Sequence, residues 1–272
     1  MNPRVFTIPP SVPFLPALIG ALRDGRLVEG LSASDPLALA GATIFLPTRR
    51  ACRLARDAFL DGLGVGAALL PRIVPIGDID EDELVFADMA TGGAARDALD
   101  LPPALGGLER RFLLARLVYA WAERLEPRPG EPALVVQNPT AALALADDLA
   151  RLMDDMITRE VPWQRLDTLV PDHLDEYWQL TLRFLRIASE TWPAIPAERG
   201  AIEPAERRDR LIAAEARRLA AAPDAPVIAA GSTGSMPATA RLLATIAGHP
   251  RGAVVLPGLD TSLDDEIGRA HV

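Results

Sequence analysis

Short apolar segments rich in β-branched residues, each bounded by Pro or Gly, occur near both ends of the chain. They cover residues 5–8, 42–46, 72–76, 227–230 and 253–256. This length and composition are typical of strands that are buried on both faces of a sheet. Helical periodicity follows most of these segments, most clearly over residues 48–60 and 237–246. Strands that alternate with helices predict an α/β fold with an open, mostly parallel sheet.

Both helices are expected to follow their strands through short turns. In the helix over residues 48–60, the apolar positions have the spacing of one buried stripe. That stripe consists of Ala51, Leu54, Ala55, Ala58 and Phe59. In the helix over residues 237–246, Ser235 is the predicted N-cap, and Pro237 suits the first turn.

The middle of the chain, residues 84–220, shows almost only helical periodicity, interrupted by Pro-rich connectors. The helical segments are 108–125, 140–158, 172–191 and 203–221. A helical block between strands of one sheet predicts an inserted subdomain. We therefore expect a discontinuous α/β domain, residues 1–83 and 221–266, with a helical insertion at residues 84–220.

Composition excludes several classes of enzyme. The 28 basic residues are all arginine, so the lysine of a P-loop, a Schiff-base enzyme or a protein kinase is absent. The single cysteine, Cys52, excludes a disulfide framework and any site that needs several thiolates from this chain. His173, His249 and His271 lack the spacing of a metal-binding pair. We expect neither catalytic nor metal-binding residues here.

Net charge and hydropathy limit the binding surfaces and the cellular compartment that we expect for this protein. The formal net charge of −9 excludes a uniformly basic nucleic-acid-binding surface, although a local basic patch is compatible with it. The N-terminal residues do not form a signal peptide, and no apolar run approaches the roughly 20 residues that cross a bilayer. We expect a cytoplasmic protein without membrane contact. We also expect the chain to be a fragment, with residues 267–272 a non-native tail.

The strongest candidate site is a strand-to-helix turn at residues 47–50. Two arginines in the first turn of a helix are repelled by the partial positive charge at the helix N-terminus. A bound anion would offset that repulsion. Arg49, Arg53 and Arg56 share one helix face, which predicts phosphate contacts. Thr48, Arg49, Arg50 and Arg53 are therefore candidate DNA- or phosphate-binding residues. The alternative is a solvated arginine face paired with Asp57 and Asp61.

A second candidate is the small-residue turn at residues 231–235, where backbone N–H groups could bind phosphate. Ser232 and Thr233 are its candidate side chains, and the alternative is an ordinary turn with a capping serine. The acidic segments 78–83 and 264–266 have the ligand type for a hard cation. Such charge runs are more often solvated loops.

Six segments carry a family resemblance: residues 5–10 (VFTIPP), 45–51 (FLPTRRA), 75–78 (PIGD), 108–111 (LERR), 229–239 (AAGSTGSMPAT) and 254–260 (VVLPGLD). Together they resemble the N-terminal part of the double-strand break repair proteins of the AddB family, alphaproteobacterial type. The resemblance implies a RecA-like, superfamily-1 helicase-type parallel sheet domain with an inserted all-helical subdomain. It also implies further helicase-like domains and a C-terminal nuclease domain in a longer chain. That nuclease domain would hold an iron–sulfur cluster and Mg²⁺, while the AddA subunit would use ATP.

The residues argue against motor chemistry in this segment. A P-loop needs glycines and a lysine, but residues 9–13 after the first strand read PPSVP, and proline has no backbone N–H. The strand at residues 227–230 ends without the acidic residue that holds Mg²⁺ in NTPases. We therefore expect a degenerate P-loop, no catalytic residue and no cofactor in this segment.

The leading hypothesis is a helicase-like segment that contacts single-stranded DNA, duplex ends and an AddA-type subunit of a helicase–nuclease. Open α/β sheets bind ligands outside the carboxyl ends of their strands, where both candidate turns are expected. One alternative is a nucleotide- or sugar-nucleotide-binding α/β enzyme that uses residues 231–235. Another is a pure protein-interaction scaffold.

Overall fold

The computed structural model describes residues 3–32, 35–63, 69–77, 101–125, 137–167 and 176–258. The chain divides into an α/β unit, Met1–Asp100 with Arg210–Val272, and a helical unit, Leu101–Asp209. The first predicted domain boundary, 83/84, and the predicted tail at 267–272 lie outside the described residues. The second observed boundary, between residues 209 and 210, falls within a helix.

The α/β unit contains a five-stranded sheet in the order β1-β5-β4-β2-β3, with all neighbouring strands parallel. The strands are β1 (Val5–Ile8), β2 (Thr43–Leu46), β3 (Arg72–Pro75), β4 (Val227–Ala230) and β5 (Gly252–Pro257). Each observed strand overlaps one of the predicted segments. The α/β class and the parallel sheet are thus confirmed. The central strand β4 is buried along its whole length, as a near-continuous apolar run predicts.

Helices α1 (Phe14–Arg23), α2 (Pro36–Ala40) and α3 (Arg49–Leu63) connect β1 to β2 and β2 to β3. Their apolar faces pack on the sheet in one cluster. This cluster includes Leu18, Leu22, Leu39, Phe59, Ile44, Ile228 and Val255. Helix α10 (Pro237–Gly248) connects β4 to β5. Connections between parallel strands of one sheet are almost always right-handed. The connection from β4 to β5 crosses the sheet in the direction opposite to the connections from β1 to β2 and from β2 to β3. Helix α10 therefore lies on the other face of the sheet from α1, α2 and α3.

The helical unit contains α4 (Gly107–Glu123), α5 (Pro139–Thr158), α6 (Gln164–Asp167), α7 (Glu176–Arg186), a π-helical turn (Ile187–Thr191), α8 (Ala194–Glu198) and the start of α9 (Pro204–Ala221). Asn138 caps α5 by accepting a 2.7 Å hydrogen bond from the Ala141 amide. Leu114, Val118, Leu149 and Trp192 lie in a common core. The helical character predicted for this part of the chain is confirmed for these segments.

Four local predictions need correction. Leu54 is 48% exposed, whereas the other four residues of the predicted stripe pack in the core and Cys52 takes the buried position that was expected for Leu54. The N-cap of α10 is Met236, which makes no side-chain capping bond, so Ser235 lies one residue too early. The helices α1 and α2 are additional to the predicted ones.

The fourth correction concerns residues 172–191, predicted as one continuous α-helix. Among the described residues of this segment, α7 ends at Arg186 and a π-helical turn follows. The Trp192 amide donates to the Ile187 carbonyl at 2.8 Å, five residues back. The wider turn rotates the next side chain, and Trp192 is 2% exposed in the core. No helix in the described part of the chain is long and apolar enough to cross a membrane.

Candidate phosphate-binding site

The strand order places the two candidate turns at one location in the sheet. From β2 the chain crosses to β3 on one side, whereas from β4 it crosses to β5 on the other side. The neighbouring strands β2 and β4 therefore flank a topological switch point. Ligands of open α/β sheets bind in the crevice outside the carboxyl ends of such strands. Residues 47–50 and 231–235 follow those two ends.

The carboxyl ends of β2 and β4 lie close to each other. Gly231 has a φ of +79°, and a Cβ built on it would lie 3.5 Å from Pro47 Cδ and 3.3 Å from Phe14 Cε1. The Gly231 amide donates to the Val255 carbonyl at 2.9 Å, which holds this turn against β5. Phe14 is a residue that the pattern of the sequence did not single out. It lies at the start of α1, beside Gly231 at the end of β4.

Thr48 and the arginines after it begin α3. The Thr48 hydroxyl oxygen accepts a 3.1 Å hydrogen bond from the Ala51 amide, so Thr48 caps the helix. Arg49 and Arg50 occupy the first turn and are exposed. The Arg50 side chain forms no hydrogen bond or ion pair with a residue that the structure describes. An anion at this terminus would contact both the partial positive charge of the helix and the guanidinium groups.

The rest of the arginine face divides into two parts. Arg53 is exposed and has no polar partner among the described residues. Arg56 donates from Nη2 to the Ile73 carbonyl at 2.8 Å, so it binds β3 rather than continuing the face. The alternative ion pairs to Asp57 and Asp61 are not formed within the described part of the chain. An acidic residue that follows its arginine by four positions is in the less favourable order for a helix pair.

The turn after β4 differs from a phosphate-binding loop in the donors that it offers. Gly234 has a φ of +70°, and its amide donates to the Ser232 hydroxyl at 3.4 Å. Ser232 is therefore partly used by its own turn, while Thr233 is exposed. Helix α10 begins without a side-chain cap, and Pro237 at its first position has no N–H. This turn can add hydroxyl contacts to the crevice, but it offers few backbone donors.

The loop between β1 and α1 has almost no free donors for a phosphate. Pro9, Pro10 and Pro13 have no backbone N–H. The Val12 amide donates to the Pro9 carbonyl at 3.1 Å, which uses one of the remaining donors in a turn. Gly258 follows β5 and lies beside Pro10. The Gly258 amide donates to the Ile8 carbonyl oxygen at 2.8 Å. This arrangement does not fit the triphosphate of a nucleotide.

Two buried ionisable groups, Glu203 in the helical unit and Cys52 in the α/β unit, have raised pKa values. In the helical unit, Glu203 accepts a 2.7 Å hydrogen bond from Trp192 Nε1 and lies 2.6 Å from Arg110 Nη2. Burial raises the pKa of Glu203, and the charge of Arg110 opposes that shift. In the α/β unit, burial raises the pKa of the Cys52 thiol, with Arg56 opposing it. A raised thiol pKa disfavours the nucleophilic thiolate.

No group of three or more metal-ligating side chains occurs among the residues that the structure describes. Both acidic segments, 78–83 and 264–266, lie outside those residues. No model of a known protein family matches the chain, and no curated protein matches it. A functional assignment therefore depends on the chemistry of the crevice itself.

Proposed function

We propose that the α/β unit binds the phosphate backbone of single-stranded DNA at the crevice between β2 and β4. The unit would be a RecA-like, superfamily-1 helicase-type domain without motor chemistry. It would belong to the AddB subunit of a helicase–nuclease that processes double-strand breaks for recombination. The observation that carries the proposal is the position of Thr48, Arg49 and Arg50 at the switch point of the sheet.

The chemistry of the crevice favours a polymer phosphate over a nucleotide. Arginine binds phosphate oxygens through two parallel hydrogen bonds, and Arg50 and Arg53 have no described partner to lose. Successive phosphates of a strand can be contacted from one helix terminus and its exposed face. The proline-rich loop after β1 lacks the donors and the lysine that a triphosphate requires. ATP would then be used by an AddA-type partner.

The family resemblance at residues 45–51 and 229–239 supports the same location, because these segments form both sides of the crevice. The single cysteine of the chain cannot supply the ligands of an iron–sulfur cluster. Such a cluster, and nuclease activity with Mg²⁺, would belong to parts of a longer protein. The proposal for these residues is therefore DNA contact and partner binding, without catalysis.

The experiment is a titration of a fluorescein-labelled single-stranded oligonucleotide with the 272-residue chain, followed by anisotropy. We expect Arg49→Ala/Arg50→Ala to weaken binding by at least about tenfold, because two charge-assisted phosphate contacts are lost. The matched control is Arg26→Ala/Arg241→Ala, which removes two exposed arginines of the same unit that are outside the two candidate turns, residues 47–50 and 231–235. This control is expected to bind like the unchanged chain.

A parallel titration with ATP and with a sugar nucleotide tests the enzyme alternative. We expect no saturable heat of binding with either ligand. Nucleotide binding that depends on Ser232 and Thr233, together with unchanged DNA affinity in the double arginine variant, would replace the proposal with that alternative. Absence of DNA binding in the unchanged chain would also contradict it.

A further inference from the structure

Helix α4 of the helical unit is apolar on more than the side that faces the core. Leu114, Val118 and Ala122 are buried and belong to the core of the unit. Leu108 and Phe112 lie on a different side of the same helix, where they are 66% and 52% exposed. A helix with apolar residues on several sides is normally covered on several sides. A further surface is therefore expected to cover α4.

The exposed side of α4 forms one wall of a groove that α5 and α8 complete. The groove has a volume of about 870 Å³. Its apolar lining includes Phe112, Leu117, Tyr119, Pro139, Leu143 and Ile195. An apolar concavity of this size, bordered by polar groups, is typical of a surface that binds another helix.

Charged groups in the groove limit what can cover it. Arg116 and Glu198 both line the groove, and neither has a hydrogen bond or ion pair with a described residue. The nearby Arg199 is already paired with Glu109 at 3.1 Å. A covering surface would remove water from Arg116 and Glu198, which is costly unless it supplies opposite charges. The occupant must therefore offer a carboxylate, a cation and large apolar side chains together.

We propose that the occupant is a second copy of this chain, docked through the same groove about a twofold axis. In such an interface, residue i contacts residue j of the partner, and residue j contacts residue i. Arg116 of each copy would pair with Glu198 of the other, so one symmetry operation neutralises four charges. Phe112, in the wall of each groove, and the exposed Leu108, one turn before it on α4, would pack against the apolar lining of the other copy. The residues of this interface all belong to the helical unit.

The strength of the dimer follows from its size. The contact would be confined to one groove on each copy, and small interfaces are typical of weak, reversible association, so a dissociation constant in roughly the micromolar range is expected. The two ion pairs would set the register of the helices more than the affinity, since exposed pairs stabilise weakly. Dimerisation should therefore depend on protein concentration and be weakened when like charges face each other across the interface.

The test is sedimentation velocity of the 272-residue chain over about a hundredfold range of micromolar concentrations. Arg116→Glu and Glu198→Arg each place like charges opposite one another, and each should weaken the dimer by at least about tenfold. The double variant Arg116→Glu/Glu198→Arg exchanges the signs and should restore the dimer. Phe112→Asp should also give a monomer.

Arg151→Glu is the matched control, since it reverses an exposed arginine of α5 that does not line the groove. It should dimerise like the unchanged chain. Circular dichroism of every variant establishes that helix content is retained. A monomer at all concentrations overturns the proposal and leaves the groove to a different partner. A dimer that the single charge reversals do not weaken, or that the double variant does not restore, overturns it as well.

Discussion

Gly252, the first residue of β5, lies where the chain returns from α10 to the sheet. A Cβ built on Gly252 would overlap the Ile246 carbonyl oxygen and would also be too close to His249 Cβ. The obstructing atom is backbone, so it cannot be moved by a rotamer change. The Gly252 amide also donates to the His249 carbonyl at 3.0 Å, and Arg4 Nε donates to the Gly252 carbonyl at 3.0 Å. This close approach requires glycine.

We therefore expect Gly252→Ala to lower the free energy of unfolding by about 3 kcal/mol or more, as a backbone clash forces β5 or α10 to shift. Urea denaturation followed by circular dichroism measures the change. Gly20→Ala is the matched control, because no atom lies within 4 Å of the added Cβ and Gly20 is inside α1. It should be stabilising by roughly 0.5–1 kcal/mol. Equal effects at both positions would contradict this account of Gly252.

Glu203 is the residue of the helical unit whose protonation state should influence stability. Burial raises its pKa above the ordinary value of 4.5, so the folded chain binds this proton more tightly than the unfolded chain. The contribution of Glu203 to stability is therefore fully present below pH 4.5 and is lost as the pH rises through the raised pKa. Each unit by which the pKa is raised corresponds to about 1.4 kcal/mol.

Glu203→Gln removes this titration while keeping an acceptor for Trp192. We expect the stability of the unchanged chain, relative to Glu203→Gln, to fall as the pH rises from about 4 and then to become constant. Urea denaturation at a series of pH values, followed by tryptophan fluorescence, measures the difference. Glu123→Gln, an exposed change on α4, should show no such fall. A relative stability that increases with pH would mean that the Arg110 ion pair outweighs burial.

At the scale of elements, the local sequence pattern predicts the positions of the strands but not their order in the sheet. The segments 227–230 and 253–256 are recognisable because they are apolar, short and bounded by Pro or Gly. Nothing local specifies that β4 lies between β5 and β2, since that order depends on contacts between distant parts of the chain. Helix α1 escaped prediction because Pro16 and Gly20, two poor helix formers, lie within it.

The candidate site shows the same division between local and long-range information. The capping role of Thr48 and the position of Arg49 and Arg50 at a helix start follow from adjacent residues. The contact between the two strand ends, with Phe14 beside Gly231, depends on strand order and could not be predicted. The partnership of Arg56 with the Ile73 carbonyl is likewise a long-range contact. The π-helical turn precedes Trp192, whose burial in the core also depends on contacts with distant parts of the chain.

At the scale of the whole molecule, the net charge of −9 opposes the approach of DNA. Binding must then come from a few local contacts that exceed this repulsion at short range. For single strands, the logarithm of the binding constant falls with the logarithm of salt concentration by about 0.7 for each phosphate neutralised. Contacts from Arg49, Arg50 and Arg53 therefore predict a slope near −2, whereas a uniformly basic surface would give a much steeper one.

The slope can separate the crevice from general electrostatic attraction. Arg49→Ala/Arg50→Ala should reduce its magnitude by about 1.4, whereas Arg26→Ala/Arg241→Ala should leave it unchanged. Long-range repulsion acts in the opposite direction, because added salt screens it; the two double variants each lose two positive charges, so this screening flattens their slopes to the same degree. The difference between variants is therefore more informative than any single slope. Equal slopes in all three proteins would place the phosphate contacts outside the crevice between β2 and β4.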